Sequence, residues 1–145
     1  MVKMNYSFEL NCNKDKFFYV LTDYQNLVKY MPRQLQKIEI LEKHEDHTII
    51  ESTIFLRSII KKQFSQKLKI QVKSKNKILL EILDGVAKGT QSTISIMPDE
   101  EKSICDINTN VKLSLKAAIL YPIIKKEYDG FLTKISKRII ENINE

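Results

Sequence analysis

The segment LTDYQNLVKYMP, residues 21–32, contains apolar residues at helical spacing, one aspartate among them and one proline at the end. A carboxylate in the last turn of a helix faces the negative end of the helix dipole, whereas at an N-cap it accepts hydrogen bonds from free backbone amides. We therefore predict two short helices, over residues 14–22 and 24–31, with Asp23 ending the first and capping the second. Pro32 is expected to end the second helix, because proline disfavours a helical conformation in the residue before it.

On both sides of this segment apolar and polar residues alternate, which is typical of strands with one buried face. Residues 2–10 form the first such strand. Six more follow between residues 34 and 115, and the short turns between them predict a meander of antiparallel neighbours. These six strands are predicted over residues 34–44, 47–57, 61–74, 77–85, 88–98 and 103–115.

The C-terminal segment, residues 117–143, has the 3.6-residue period of an amphipathic helix. Pro122 suits its first turn, where no backbone N–H is needed. Gly130 lies in the middle of this helix, where a glycine lowers helix stability by about 1 kcal/mol. That loss is tolerable if another group packs closely against the glycine. The apolar stripe of this helix comprises Leu120, Ile124, Tyr128, Phe131, Ile135 and Ile139.

The order of strand, two short helices, six strands and one long helix indicates an α+β fold, in which a seven-stranded curved antiparallel sheet wraps around the C-terminal helix. LTDYQNLVKYMP resembles the D-aromatic-x-x-Leu…Pro segment of START-like helix-grip proteins, the polyketide cyclase/dehydrase and coenzyme Q-binding superfamily. LDGVAKGTQSTISIMPDE, residues 83–100, is similar to the glycine-containing hairpin and following strand of the same group. The resemblance covers essentially the whole chain, so we predict one START-like domain over residues 1–145.

The resemblance implies a cavity between the sheet and the long helix, and relatives of this type hold lipids, sterols, quinones or polyketides. A mostly apolar wall with a few polar groups is typical of a small-molecule site. The alternative is that the same side chains fill the space as core. By strand parity and helix face, the predicted lining comprises Tyr6, Phe8, Tyr24, Leu27, Met31, Phe64, Gln66, Leu68, Thr109, Val111, Leu120, Ile124, Tyr128 and Phe131.

Our interpretation is a non-enzymatic domain that binds a hydrophobic small molecule such as a lipid or an isoprenoid quinone, with transport or chaperoning of that molecule as the roles considered. Gln66, Thr109 and Tyr128 are the polar candidates for ligand contacts, since a buried polar group needs a partner. One alternative is an enzyme of the cyclase/dehydrase type with a similar substrate. Another is a module that binds proteins or ribosomes through its outer surface.

The histidines and cysteines suggest no catalytic residue, metal or cofactor. His44 and His47 are the only histidines and fall in a predicted hairpin turn, away from the cavity, whereas a metal site needs three or four converging ligands. In the helix-grip topology the first and last strands pair, which brings Cys12 near Cys105. We expect both thiols to be free and to face inward.

The charge and the surface residues bear on partners and location. The net charge of +6 is expected to be spread over the surface. The lysines of residues 61–77 do not predict a nucleic-acid partner, because no aromatic residues lie between them on the outer face to stack on bases. The segment Phe55–Lys62 has apolar residues beside cations, and we consider a transient membrane contact there as well as packing or a dimer contact. We expect a monomer or weak dimer in the cytoplasm.

Overall fold

Seven antiparallel strands form one sheet in the order β1-β7-β6-β5-β4-β3-β2. The computed structural model of the chain describes residues 2–31, 35–56, 62–99 and 102–145. The strands β2 to β6 each pair with the next strand along the chain, and β1 pairs with β7, with Val2 opposite Val111. The strands are β1 (Val2–Leu10), β2 (Leu35–Lys43), β3 (Thr48–Leu56), β4 (Lys62–Ser74), β5 (Lys77–Ile82), β6 (Gln91–Asp99) and β7 (Lys102–Val111).

Two helices and one 3-10 turn connect β1 to β2, which are the two edge strands of the sheet. The helix α1 spans Lys14–Thr22, α2 spans Tyr24–Leu27, and the 3-10 turn spans Val28–Tyr30. Asn13 caps α1, because its side-chain Oδ1 accepts a hydrogen bond from the backbone N of Lys16 at 2.9 Å.

Asp23 separates α1 from α2 as predicted, but it does not cap α2 with its side chain. Its backbone carbonyl accepts hydrogen bonds from the backbone N–H groups of Asn26 and Leu27. Its carboxylate accepts one from the side-chain amide of Asn26, with 2.8 Å between Nδ2 and Oδ2. The prediction that the Asp23 carboxylate bonds to the backbone of α2 is therefore wrong, because the carboxylate bonds to the side-chain amide of Asn26 instead. Pro32 lies outside the described residues.

The C-terminal region contains two helices instead of one: α3 (Leu115–Ala118) and α4 (Tyr121–Ile143). Pro122 explains the break. It has no N–H to donate to the carbonyl of Ala118, and its ring would collide with that carbonyl in a continuous helix. Pro122 lies in the first turn of α4, as predicted. The condition of close packing at Gly130 is not met, since outside the helix's own backbone no atom lies within 4 Å of where its Cβ would be.

Several strands are shorter than predicted because side chains and turns take over their backbone hydrogen bonds. The loop between β5 and β6 contains Gly85 (φ 81°) and Gly89 (φ 91°), conformations that favour glycine. The Asp84 carboxylate accepts a hydrogen bond from the backbone N of Lys67 at 2.8 Å. The strand β7 stops at Val111, after which the backbone N of Lys112 donates to the Thr90 hydroxyl at 2.9 Å.

Two hydrophobic clusters form the core on the concave face. The first joins β1, α1, β6, β7 and α4 through Leu10, Phe17, Ile96, Cys105, Ile107, Ile135 and Ile139. The second joins β3, β4 and β5 through Ile50, Ile70 and Ile78. Phe18 and Leu21 of α1 contact both clusters, so α1 connects the two halves of the core.

Candidate functional site

The two halves of α4 pack against the sheet to different extents. The residues that α4 buries, Ile135, Ser136 and Ile139, all lie in its C-terminal half. In its N-terminal half, Ile124 and Tyr128 are half-buried although they lie on the same helix face as Ile135. We call the space between this N-terminal half and the concave face of the sheet the sheet–helix groove.

The sheet side of the groove is also apolar and partly exposed. Leu68, Leu80 and Ile82 lie on the inner face of β4 and β5, and all three are half-buried. Apolar side chains on both walls of the groove therefore face inward and still contact water. The sheet–helix groove therefore has the character of a site that gains free energy when an apolar ligand displaces water.

A chain of three hydroxyl groups crosses from the sheet to α4 at the groove. The Oγ of Ser92 lies 2.7 Å from the Oγ1 of Thr109, its cross-strand neighbour. The same Thr109 oxygen lies 2.7 Å from the phenolic oxygen of Tyr128. Thr109 is only 4% exposed, so both bonds are shielded from water at their centre.

The direction of this hydroxyl chain determines what Tyr128 can offer to a ligand. Each hydroxyl has one proton, and two hydrogen bonds use two of the three protons. If Ser92 donates to Thr109 and Thr109 to Tyr128, the Tyr128 proton is free to donate; in the reverse direction Tyr128 retains a lone pair that can accept. Burial raises the pKa of Tyr128, and its bond to Thr109 lowers the pKa to a lesser extent. The phenol therefore stays neutral at neutral pH.

Several of the predicted lining residues contact the core clusters in the structure. Tyr6, Phe8, Leu27, Met31, Tyr128 and Phe131 pack against the first cluster, and Tyr24 and Leu68 pack against the second. The phenolic oxygen of Tyr6 lies 2.8 Å from the Oγ1 of Thr133. Because Thr133 donates its own proton to the carbonyl of Asp129, Tyr6 donates to Thr133.

The structure places the remaining candidates at different depths. Val111 and Gln66 are buried in the sheet, whereas Leu120 and Ile124 are half-buried at the start of α4. The backbone of Phe64 lies in β4, but its side chain is outside the described part of the chain. The structure thus brings Thr109, Tyr128 and Ile124 to one end of the concave face.

The segment around Leu27 and Met31 is held at the other half of α4. The Tyr30 hydroxyl donates to the Asn142 side chain at 3.0 Å, and Arg138 donates to the carbonyl of Met31 at 2.9 Å. These bonds fix the 3-10 turn against the C-terminal half of the helix. Leu27 and Met31 are therefore separated along α4 from the hydroxyl chain.

The sequence interpretation missed Ser92, which completes the hydroxyl chain. Its signal is the alternation of Ser92, Ile94 and Ile96, which places Ser92 on the inner face of β6. A hydroxyl among inward isoleucines needs a partner, and Thr109 on the neighbouring strand is the residue that supplies it.

Two surface depressions are lined mostly by residues outside the sheet–helix groove. One, of about 110 Å³, is lined mainly by outward-facing residues of β4, β5 and β6, including Lys69, Glu81 and Thr93. The other, of about 480 Å³, lies between α1 and the end of α4, where Tyr19 and Ile143 contribute to it. The lining of the first also includes Leu80 and Ser92, which belong to the groove, whereas the lining of the second shares no residue with it.

The two histidines lie in the turn between β2 and β3, as predicted. Their rings stack with 4.4 Å between centroids, and each has an acidic neighbour: His44 bonds to Glu42 at 3.1 Å and His47 to Asp46 at 2.8 Å. Within the described residues, no group of three or more histidine, cysteine or acidic side chains is arranged to hold a metal ion.

Both cysteines are free and contact the first cluster, in agreement with the sequence interpretation. Cys105 is 1% exposed. Burial, with a smaller contribution from the adjacent Asp106 carboxylate, raises the pKa of the Cys105 thiol to about 12. Cys12 is half-buried, and burial raises its thiol pKa as well. Neither thiol therefore has the lowered pKa of a catalytic nucleophile.

On the outer face of the sheet, two lysines of β4 each stand opposite a glutamate of a neighbouring strand. Lys67 of β4 stands opposite Glu51 of β3, and Lys69 stands opposite Glu81 of β5. This pairing interrupts the basic surface that a nucleic-acid backbone would require. The segment Phe55–Lys62, for which a membrane contact is predicted, falls largely outside the described residues, so that prediction stays open.

Solved structures with a similar fold cover nearly the whole chain. A START superfamily protein from Mycobacterium smegmatis superimposes with a TM-score of 0.76 at 13% identity, over 98% of this chain and 97% of that one. Norcoclaurine synthase from Thalictrum flavum superimposes with a TM-score of 0.73 at 17% identity, over 99% of this chain and 87% of that one. The chain has the START-like helix-grip fold. This confirms the α+β architecture predicted from the order of its elements.

A third helix-grip structure is the di-domain ARO/CYC StfQ from the steffimycin biosynthetic pathway. It superimposes with a TM-score of 0.80 at 8% identity over 98% of this chain, which spans 50% of the di-domain protein. Family models and curated proteins gave no match to the sequence. At these identities the likeness establishes the fold, and the function has to be argued from the site. In the part of the chain that is described, no helix has the length and apolar character needed to cross a bilayer.

Proposed function

We propose that the chain binds a hydrophobic small molecule, such as a lipid or an isoprenoid quinone, in the sheet–helix groove. The observation that carries the proposal is the Ser92–Thr109–Tyr128 hydroxyl chain, which places one polar group at an apolar, partly exposed surface. Apolar area displaced from water would supply most of the affinity, at about 25 cal/mol for each Å². The helix-grip fold of the START superfamily neighbour is in keeping with this assignment.

The polar end of the ligand would meet Tyr128. The neutral phenol can donate to a carbonyl oxygen or accept from a hydroxyl group, according to the direction of the hydroxyl chain. Quinones, fatty acids and sterols each have at least one carbonyl, carboxyl or hydroxyl oxygen at or near the end of an apolar body. Tyr128 would therefore orient the ligand, while Ile124, Leu80 and Leu68 would contact its apolar part.

Binding is favoured over cyclase-type catalysis by the positions of the ionisable groups. The carboxyls with lowered pKa, Asp46 and Asp106, lie in the β2–β3 turn and beside Ser7 on the outer face of the sheet. At the groove, the raised pKa of Tyr128 makes the phenol a weaker acid than usual. A general acid or base works best when its pKa is near the operating pH.

The first experiment is organic extraction of freshly purified protein, followed by mass spectrometry. We expect a co-purified lipid or quinone in an amount comparable with the protein. The same preparation is then titrated with a fluorescent fatty acid and with a short-chain quinone. Repeated absence of a co-purified molecule, together with no saturable binding of either probe, would exclude the proposal.

A matched pair of variants localises the binding. Ile124→Trp adds bulk inside the groove and is expected to reduce probe affinity at least tenfold. Met97→Trp adds the same bulk on the outer face, where Met97 is 46% exposed, and is expected to leave affinity unchanged. Equal effects of the two variants would place the ligand elsewhere. We also propose that residues 1–145 form a single domain and that the protein is cytoplasmic.

A further inference from the structure

Three exposed apolar residues lie on α3, just after it, and on the adjoining β5–β6 loop. Leu115 is 97% exposed and Ile119 is 84% exposed. They are four residues apart in a helical turn, so they lie on one side of it. Val86, which is 55% exposed, belongs to the β5–β6 loop, and its carbonyl accepts a hydrogen bond from the backbone N of Ser114 at 2.9 Å. We call Val86, Leu115 and Ile119 the docking patch.

The docking patch rests on two segments that are firmly connected. The Thr90 hydroxyl donates to the carbonyl of Lys112 at 3.1 Å and accepts from the backbone N of Lys112 at 2.9 Å. The Lys112 side chain lies over Gly89, and its Cδ would be 2.9 Å from a Cβ at that position. Hydrogen bonds therefore connect the two segments that present the apolar residues.

The charge next to the docking patch in sequence is mostly positive; the acidic exception is Asp84, two residues before Val86, which is half-buried and accepts a hydrogen bond from the backbone N of Lys67. Residues 107–126 contain four lysines and no acidic residue, and residues 85–98 contain one lysine and no acidic residue. Lys88, Lys112 and Lys116 are all exposed and lie within three residues of a member of the patch. Elsewhere on the protein, as at Lys67 and Glu51, opposite charges stand beside each other.

We infer that the docking patch binds an anionic lipid surface. Exposed leucine and isoleucine side chains insert into the interfacial layer of a bilayer, and lysines around them are attracted to negatively charged headgroups. A second copy of the chain fits less well, because a self-complementary contact would bring the lysines of both copies together. The patch immediately precedes the N-terminal half of α4, so the bilayer would lie beside the sheet–helix groove.

The absence of tryptophan from the sequence allows a direct test by fluorescence. Leu115→Trp places the only tryptophan in the docking patch, and Tyr19→Trp places one at a 68% exposed position on α1 as the control. Each variant is mixed with vesicles of phosphatidylcholine alone and of phosphatidylcholine with phosphatidylserine. We expect a blue shift of emission for Leu115→Trp with the anionic vesicles only, and none for Tyr19→Trp.

Vesicle sedimentation measures the contributions of the apolar and basic residues separately. We expect Leu115→Ser with Ile119→Ser to reduce binding to anionic vesicles by more than tenfold. Loss of each lysine weakens binding to anionic vesicles about fivefold. Lys88→Glu with Lys116→Glu should therefore reduce this binding more than the two serine substitutions do. The control, Lys75→Glu with Lys77→Glu in the β4–β5 turn, should bind like the unsubstituted protein.

The outcomes that overturn the inference are distinct. Equal binding to neutral and anionic vesicles, or no binding to either, contradicts it. Equal loss in the Lys75/Lys77 control shows a diffuse charge effect and also contradicts it. Self-association that Leu115→Ser with Ile119→Ser abolishes, without vesicle binding, assigns the patch to a contact between copies. Extraction and probe titration of the same preparations report on the groove independently.

Discussion

Replacing Thr109 by valine removes the central oxygen of the hydroxyl chain while preserving the size and β-branching of the side chain. Thr109 is 4% exposed and bonds to Ser92 and Tyr128, each at 2.7 Å. Two neutral hydrogen bonds at about 0.5–1.5 kcal/mol each predict that Thr109→Val lowers the free energy of unfolding by about 1–3 kcal/mol. Tyr128→Phe removes only one of them and should cost about 0.5–1.5 kcal/mol.

The double variant provides the decisive measurement. Once Thr109 is valine, the Tyr128 hydroxyl has lost its partner, so Tyr128→Phe should cost little or even stabilise the protein. The two substitutions should therefore be non-additive by about 1 kcal/mol in urea unfolding followed by circular dichroism.

Thr93→Val is the matched control for Thr109→Val. Thr93 is on the outer face of β6, adjacent to Ser92 in sequence but outside the hydroxyl chain, and its replacement should change stability by less than about 0.5 kcal/mol. Strictly additive effects of Thr109→Val and Tyr128→Phe would refute the reasoning, because additivity means that the two oxygens do not interact.

The remaining predictions concern the core, the long helix and the thiols. Ile139→Ala should lower the free energy of unfolding by about 2–5 kcal/mol, because Ile139 is 1% exposed; Ile119→Ala, at 84% exposure, should change it by less than about 0.5 kcal/mol. Gly130→Ala should stabilise the protein by about 0.5–1 kcal/mol, since the new Cβ meets no atom within 4 Å. Iodoacetamide should alkylate Cys12 well before Cys105 in the folded protein, with both reacting equally in denaturant. The Cys105 contribution to stability should be lost as pH rises from 9 towards about 12, because the unfolded thiol ionises first.

Each of these predictions has an outcome that contradicts it. Equal costs for the two isoleucine substitutions in urea unfolding would mean that Ile139 is not in the core. A destabilising Gly130→Ala would mean that the glycine is needed for contact with another group. Peptide mass spectrometry measures alkylation at each cysteine. Rapid alkylation of Cys105 at neutral pH would mean that its strand opens readily.

Much of the fold follows from residue spacing. Alternation in residues 2–10 predicts β1, which the structure shows as Val2–Leu10. The register of β4 follows in the same way, with Gln66 and Ile70 buried and Lys67 exposed. These patterns are reliable because a shift of one residue would turn a whole apolar face into water.

The remaining features depend on single hydrogen bonds that spacing does not encode. The sequence predicts that Asp23 caps α2, but its carboxylate accepts a hydrogen bond from the Asn26 side-chain amide instead. A continuous helix from residue 117 is wrong because Pro122 withholds one backbone donor from Ala118, which the apolar period does not reveal. Thr109 and Tyr128 are recognisable as candidates from the resemblance and the predicted faces. Ser92 is found only when the cross-strand register is known.

The pairing of β1 with β7 has a consequence for folding during synthesis. Val2 lies opposite Val111, so the first strand emerges from the ribosome long before its partner exists. Until β7 is made, β1 has no strand to pair with, and its inward residues, such as Tyr6 and Phe8, have no core to pack into. After β7 joins β6, its outer edge remains an open template until β1 arrives. Closure by β1 is therefore expected to be a late, slow step. A nascent chain stalled before residue 111 should depend on chaperones more than the complete one.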